Sequence, residues 1–397
     1  MRKARLIFIV IIFVNFSISG CWSSKEINTL GIVTAIGVDK CPEGYKVTIQ
    51  ILNAKAVASK EPITESPVIV IEQEGESISQ AVRRMTNLSS RKVYMSHIRT
   101  IVIGEDIARE GISGILDYLI RNEDLRTDYF FVEAKGDTAH RVLDIITPLE
   151  TIPANKIIDS LKESKISWAP TKTVRIIELM NAIIAEGKEP VITAVEIIGK
   201  EYEAHTTDIM KQIHPEERIK LSGMSVYKRD KLVGYLDEDE SKGYNYITNN
   251  VTRTIGQLQF EDGYVGLEIN KVRSKQKAYL IDNKPAIKTI IELEANINVV
   301  ECNIDVTKEE NIRMLEKKAA ERGKEICMKA LRKAQEELQS DIFGFGNTIH
   351  KRYPKIWKEV KNNWDSEFTR LPVDIQVSVE IKGLGTASKP FFLKEEE

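Results

Sequence analysis

Twenty residues of this chain are excluded from any globular fold by the way they end. Arg2, Lys3 and Arg5 are followed by an apolar run from Leu6 to Phe16, broken by Asn15, and then by Ile18-Ser19-Gly20-Cys21. That is the order of a signal peptide: a charged n-region, a short h-region and small residues at a cleavage site. A spanning helix needs roughly 20 mostly apolar residues, and Asn15, Ser17, Ser19 and Gly20 dilute the run where a peptidase needs small side chains. The branched-small-small-Cys ending reads as a lipobox. Cys21 would take a diacylglyceryl group on its thiol and become the first mature residue, and two acyl chains anchor stably at about 0.8 kcal/mol per buried CH₂. The alternative is an uncleaved anchor helix with Cys21 as an ordinary thiol. Either arrangement predicts a body of residues 22–397 outside a membrane and held at its surface.

Cleavage removes the three positive charges of Arg2, Lys3 and Arg5, which takes the formal net charge from -2 to -5. An acidic body argues against nucleic acid as a partner. It also argues against electrostatic adhesion to anionic lipid, which leaves the acyl group as the anchor.

With 397 residues, 42% hydrophobic and 29% charged, the chain is too long for one typical core, and two or three domains are expected. Beyond Cys21, Cys41, Cys302 and Cys327 form an odd set with no close pair, which does not suggest a disulfide framework. A link from Cys41 to one of the others stays open. There is no CxxC or HExxH, and the five histidines are scattered, so neither a zinc site nor a cofactor is expected.

Periodicity supplies the architecture. Gly31 to Asp39 and Tyr45 to Leu52 read as a strand pair turning at Lys40 to Gly44. A strand follows at Val68 to Ile71, a helix at Ser77 to Leu88, a strand at Ile98 to Gly104 and a helix at Gly111 to Ile120. Tyr129 to Ala134 then reads as a strand and Thr138 to Ile146 as a helix; such alternation implies a mixed α/β layer. A more helical, proline-punctuated middle includes an amphipathic helix at Thr171 to Ala185 and a strand at Val191 to Ile198. The polar stretch Lys200 to Lys220 reads as a link between domains. Gly223 to Tyr227 and Lys231 to Leu236 form a hairpin, and Tyr264 to Val300 is strand-rich with turns at Asp282-Asn283 and Pro285. Thr307 and Glu310 have capping-box spacing before a long helix whose apolar stripe runs from Ile312 to Leu338. A last strand, Val373 to Ile381, would close an antiparallel sheet.

Several phrases along this path resemble the Ger(x)C family, the lipoprotein C subunits of spore germinant receptors. They are Cys21-Trp22 with Glu26-Ile27-Asn28 and Ile32 to Asp39, Ser96-His97 before Ile101 to Gly104, and Ala108-Arg109-Glu110-Gly111. Gly223-Met224 through Lys231 to Leu236 follows, and then Asp341-Ile342-Phe343-Gly344-Phe345-Gly346 with Pro354-Lys355 and Trp357. The resemblance runs in order over almost the whole chain; Ser23 departs from it where the family often has an acidic residue. It implies a non-enzymatic subunit on the outer face of the inner spore membrane, acting with A-type and B-type membrane subunits to detect amino acids, sugars or nucleosides. It also implies three domains, each a sheet with flanking helices. The expected fold class is α+β, with mainly antiparallel or mixed sheets: a signal peptide 1–20, an N-terminal α/β domain 21–199, a small β-rich middle domain 200–263 and a C-terminal α+β domain 264–397.

No residue pattern places a catalytic centre. Catalysis by paired carboxylates needs two groups of different pKa in one cleft, and Glu123-Asp124, Asp237 to Glu240 and Glu309-Glu310 read as solvated runs. Ser96 and His97, adjacent in a strand, would point to opposite faces, so His97 beside Arg99 reads as a polar edge or interface residue. Phe343-Gly344-Phe345-Gly346 is either a turn that plugs its own core or a contact surface for a partner subunit, with Tyr353, Trp357 and Trp364 packing in the core. Ile349 stands where a dinucleotide loop would need its third glycine. Lipidation at Cys21 is the one predicted site. Whether the body binds a small molecule directly stays open, and a solute-binding lipoprotein delivering a ligand to a transporter is the alternative function.

Overall fold

A computed structural model describes residues 29–58, 65–147, 149–150, 152–199 and 217–384. The lipobox, Cys21, the stem from Trp22 to Asn28 and most of the expected link Lys200 to Lys220 lie outside the described residues.

The strands are β1 (Leu30–Cys41), β2 (Gly44–Leu52), β3 (Val68–Gly75), β4 (Lys92–Tyr94), β5 (Thr100–Gly104), β6 (Phe130–Ala134) and β7 (Val191–Ile198), then β8 (Arg218–Lys228), β9 (Lys231–Leu236), β10 (Thr254–Phe260), β11 (Gly263–Ile281), β12 (Lys284–Glu301) and β13 (Val373–Gly383). The helices are α1 (Ala54–Ala58), α2 (Ile78–Arg84), α3 (Glu105–Glu110), α4 (Ser113–Arg121), α5 (Ala139–Asp144), α6 (Pro153–Ser167), α7 (Ile176–Ile184), α8 (Glu238–Ile247), α9 (Glu309–Arg332), α10 (Phe345–Arg352), α11 (Pro354–Val360) and α12 (Trp364–Thr369).

The described strands form two sheets. The large one has the order β3-β2-β1-β5-β6-β7-β8-β9 with β4 beside β1, and its centre, β1-β5-β6-β7, is parallel. Parallel strands buried on both faces read as continuous apolar runs, which is why Ile101-Val102-Ile103 and Phe131-Val132 are all fully buried. One side packs on α2, α4 and α7, and the other on α5 and α6. The smaller sheet is β10-β11-β12-β13, and one face of it is covered by α8, α9, α10 and α12 in the largest apolar cluster.

The α+β class and mixed sheets match expectation, while several local readings need correction. The segment expected to be a separate middle domain has no sheet of its own: β8 and β9 complete the large sheet and β10 starts the small one. β13 runs parallel to β12, not antiparallel, because α9 to α12 carry the chain back to the same end. Pro285 is not a turn residue but sits in β12, paired with Leu280. The helix after Thr307 has Lys308 at its N-cap without a side-chain bond, and the Thr307 hydroxyl turns instead to Asp305 at 2.6 Å. The acidic run read as a solvated loop is a helix start: Asp237 and Glu240 form a reciprocal capping box on α8. Asp239 then reaches Arg322 and Lys329 on α9, each at 3.0 Å.

Candidate functional site

The two sheets are joined where the loop 186–190, between α7 and β7, meets the turn 340–346. Asp341 organises that turn. Its side chain is buried, with Oδ1 accepting from the backbone N–H of Gly344 (2.9 Å) and Phe345 (3.0 Å), and Oδ2 from Gly346 N–H (2.8 Å) and Trp364 Nε1 (3.1 Å). Three successive amides can converge on one carboxylate because Gly344 takes φ +75, a left-handed conformation natural to glycine. Burial pushes the Asp341 carboxyl up to about 6, against the pull of its four donors.

Across the junction, the Asp341 carbonyl accepts from Glu189 N–H at 2.9 Å, and Asn347 N–H donates to the Gly187 carbonyl at 3.1 Å. Gly187 and Gly346 touch so closely that a Cβ on either would lie 2.6 Å from the other's Cα. Trp357 lies edge-on to Trp364 with centroids 5.0 Å apart, and its Nε1 donates to Glu186 at 2.9 Å. Phe343 and Phe345 stack at 5.1 Å and are both buried. This places the Phe-Gly-Phe-Gly turn inside its own core and supports core packing for Trp357 and Trp364.

A cleft of about 690 Å³ opens beside this junction, between α7, α8 and the turn. Its walls are polar, and most of their groups satisfy one another. Lys172 Nζ donates to Tyr244 Oη at 3.0 Å, Gln276 Nε2 to the Phe343 carbonyl at 3.3 Å, and Thr348 Oγ1 to Gln276 Oε1 at 3.2 Å. Thr171 Oγ1, buried at the cleft's edge, has no hydrogen-bond partner.

Another carboxyl raised by burial lies in the large sheet. Glu133, on β6 and fully buried, accepts from Tyr235 Oη at 2.9 Å and Ser225 Oγ at 3.0 Å, and burial pushes it up to about 7. Glu133 lines none of the described clefts and is held between strands by its two hydroxyl donors. Glu189 is likewise pushed up to about 7 by burial, while accepting from Arg229 N–H.

The residues weighed from sequence are not brought together. Ser96 and His97 lie in a turn before β5, where Ser96 Oγ donates to the Asp124 carbonyl and the exposed His97 ring sits 5.5 Å from Tyr94. Glu309 and Glu310 start α9 in solvent, and Glu309 pairs with Arg313. Cys41, Cys302 and Cys327 are free thiols, so the open Cys41 link is not formed. Among the described residues no group of three His, Cys, Asp or Glu is arranged to hold a metal. Nor is any described helix long and apolar enough to cross a membrane. Sequence reasoning missed Asp341 and Glu133; for Asp341 a signal was available, an Asp followed at three and five residues by glycine.

Two family models match this chain: "Spore germination protein N-terminal domain" over residues 23–197 and "Spore germination B3/GerAC like, C-terminal" over residues 222–385. Spore germination protein KC of Bacillus subtilis is 26% identical, with 98% of each chain covered. Spore germination protein B3 of the same organism is 24% identical over 96% of this chain and 98% of that one; A3 is 25% identical over 93% and 95%. The crystal structure of the GerBC protein has the same fold, with a TM-score of 0.57 and 20% identity over 87% of this chain and 96% of that chain. With both models matched in order across nearly its whole length, the chain belongs to the Ger(x)C family of spore germination proteins.

Proposed function

We propose that this chain is the lipid-anchored, non-enzymatic C subunit of a spore germinant receptor, required for nutrient-triggered germination through contacts with A-type and B-type membrane subunits. The observation that carries this reading is the end-to-end match to spore germination proteins, with relatives covered over nine-tenths or more of their length. The anchor is the diacylglyceryl group on Cys21, and the body stands on the outer face of the inner spore membrane. A tethered body has a high effective concentration near its membrane partners, so modest contacts suffice to hold an assembled receptor. The non-enzymatic reading is supported by the burial of the perturbed carboxyls Asp341 and Glu133, which serve as internal hydrogen-bond acceptors and line none of the described clefts.

The test is germination of spores deleted for this gene against amino acids, sugars and nucleosides, with non-nutrient triggers as controls. Loss of response to one nutrient class with controls intact is expected. An unchanged panel in spores lacking related receptors would overturn the reading and favour solute delivery to a transporter.

A further inference from the structure

The small sheet leaves one face open, and that face is charge-polarised. Beyond the irregularity at Ile269/Lys271, β11 pairs regularly with β12 as far as Ile281, so side chains alternate between faces. Val272 faces the core and Gln276 reaches the Phe343 carbonyl, which puts Lys271, Arg273, Lys275 and Lys277 together on the other face. Four cations thus stand in a row about 20 Å long on one strand. Lys271 is paired with Glu294 across the strand at 2.6 Å. Arg273, Lys275 and Lys277 are exposed, and among the described residues none has a carboxylate within ion-pair distance. On the next two strands the same face carries Glu292, Glu294, Asp374 and Glu380, and also Lys288, which stands directly opposite Lys277 and 3.8 Å from Asp374, while Glu380 pairs with Lys382.

We infer that this face docks an acidic strip of a partner receptor subunit along β11. The inference rests on the receptor-subunit reading above and adds to it the surface and the chemistry of contact. Lys277 and Lys288 stand directly opposite each other, and like charges so placed destabilise a sheet unless a partner neutralises them; the chain's net negative charge makes a local cationic row a directional signal. An anionic membrane fits less well. A lipid surface presents one sign of charge, and Glu292, exposed and directly opposite Arg273, would oppose it. A protein surface can place carboxylates against the row and a cation against Glu292.

The experiment compares the acylated full chain with a charge-reversal variant, Arg273→Glu, Lys275→Glu and Lys277→Glu, and a neutral one, Arg273→Gln, Lys275→Gln and Lys277→Gln. The readouts are co-purification of the A-type and B-type subunits from spore membranes, and nutrient germination. Reversal is expected to cut subunit recovery about tenfold or more, with the neutral variant between it and the parent and the parent's recovery falling with added salt. If reversal lowers the melting temperature, the neutral variant decides. Unchanged recovery and germination in a reversal strain, when deletion of the gene abolishes the response, would sink the docking face and leave the receptor reading standing. A deletion strain with a normal response would sink both. A third arm adds phosphatidylglycerol vesicles to the full chain carrying Cys21→Ala. Vesicle binding that reversal abolishes, with subunit recovery intact, would overturn the protein partner in favour of lipid.

Discussion

Asp341 and Trp364 are joined by an indole N–H donating to a buried carboxylate at 3.1 Å, and this bond ties the start of α12 to the turn that links the two sheets. The same carboxylate holds the amides of Gly344, Phe345 and Gly346, so its removal would leave four donors without an acceptor in a closed core. A buried donor left unsatisfied costs about 1–3 kcal/mol. Asp341→Ala should therefore lower unfolding free energy by roughly 2–5 kcal/mol, allowing for relaxation around the gap. Urea denaturation of the two proteins checks this, and a loss below about 0.5 kcal/mol would mean the turn holds without its carboxylate.

The Gly187–Gly346 contact makes a second prediction about the same junction. Gly187 has φ +75, and its Cβ would fall 2.7 Å from the Trp357 ring as well as 2.6 Å from Gly346. Gly346→Ala meets Trp357 and Trp364 at 2.8 Å. Each substitution should cost roughly 3 kcal/mol or more through overpacking, with Gly187→Ala adding left-handed strain. The double variant should cost less than the sum, since the first Cβ already forces the loop and the turn apart. Thermal melts of the two single variants and the double variant measure this directly.

How far these features could be read from sequence depends on the range of the interaction. The β11–β12 turn was legible because Asp282 and Asn283 are residue types that tolerate the positive φ values of 48 and 62 they adopt. The β1–β2 hairpin was legible from alternation, and the plugged turn from its glycine and phenylalanine spacing. The parallel partnership of β13 with β12 was not, because direction is set by the helices α9 to α12 and not by the strand's own pattern. Thr307 and Glu310 have the same spacing as Asp237 and Glu240, yet only the second pair caps a helix, since the Thr307 hydroxyl is taken by Asp305. Glu133 lies in a run, Phe131-Val132-Glu133-Ala134, that gives no sign that Tyr235 and Ser225 will approach it from β9 and β8.

Glu133 makes stability depend on pH in a direction that follows from its burial. An unfolded glutamate titrates near 4.5 and the folded one near 7, so the native state binds the extra proton between those values. Stability from this group is therefore greatest below about 4.5, falls as pH rises to about 7, and is level above. The fall is on the order of 3 kcal/mol. Asp341 has the same sign but is complete by about 6, whereas Glu189, also pushed up to about 7 by burial, shares the interval from 6 to 7 with Glu133. Glu133→Gln keeps an acceptor for the Tyr235 and Ser225 hydroxyls while removing the titration. It should lower the slope of the stability profile in that interval, leaving the share due to Glu189; an unaltered slope would assign the titration to Glu189 or another group.

The anchor prediction separates attachment from folding, because the proposed lipid site is Cys21 and the first described strand begins at Leu30. Nine residues of chain reach at most about 30 Å, so an acyl group on Cys21 would hold the body within that distance of the bilayer. Cys21→Ala should leave the melting temperature of the body unchanged. It should release the chain to the soluble fraction of broken spores and abolish its contribution to nutrient germination. One acyl chain gives only marginal binding, whereas two persist, so release should be nearly complete and not graded with dilution. Fractionation with a membrane marker, alongside germination of the same spores, reads both effects. Full germination with a soluble body would show that the anchor is dispensable, and membrane retention without the thiol would point instead to partner contacts or an uncleaved N-terminal helix.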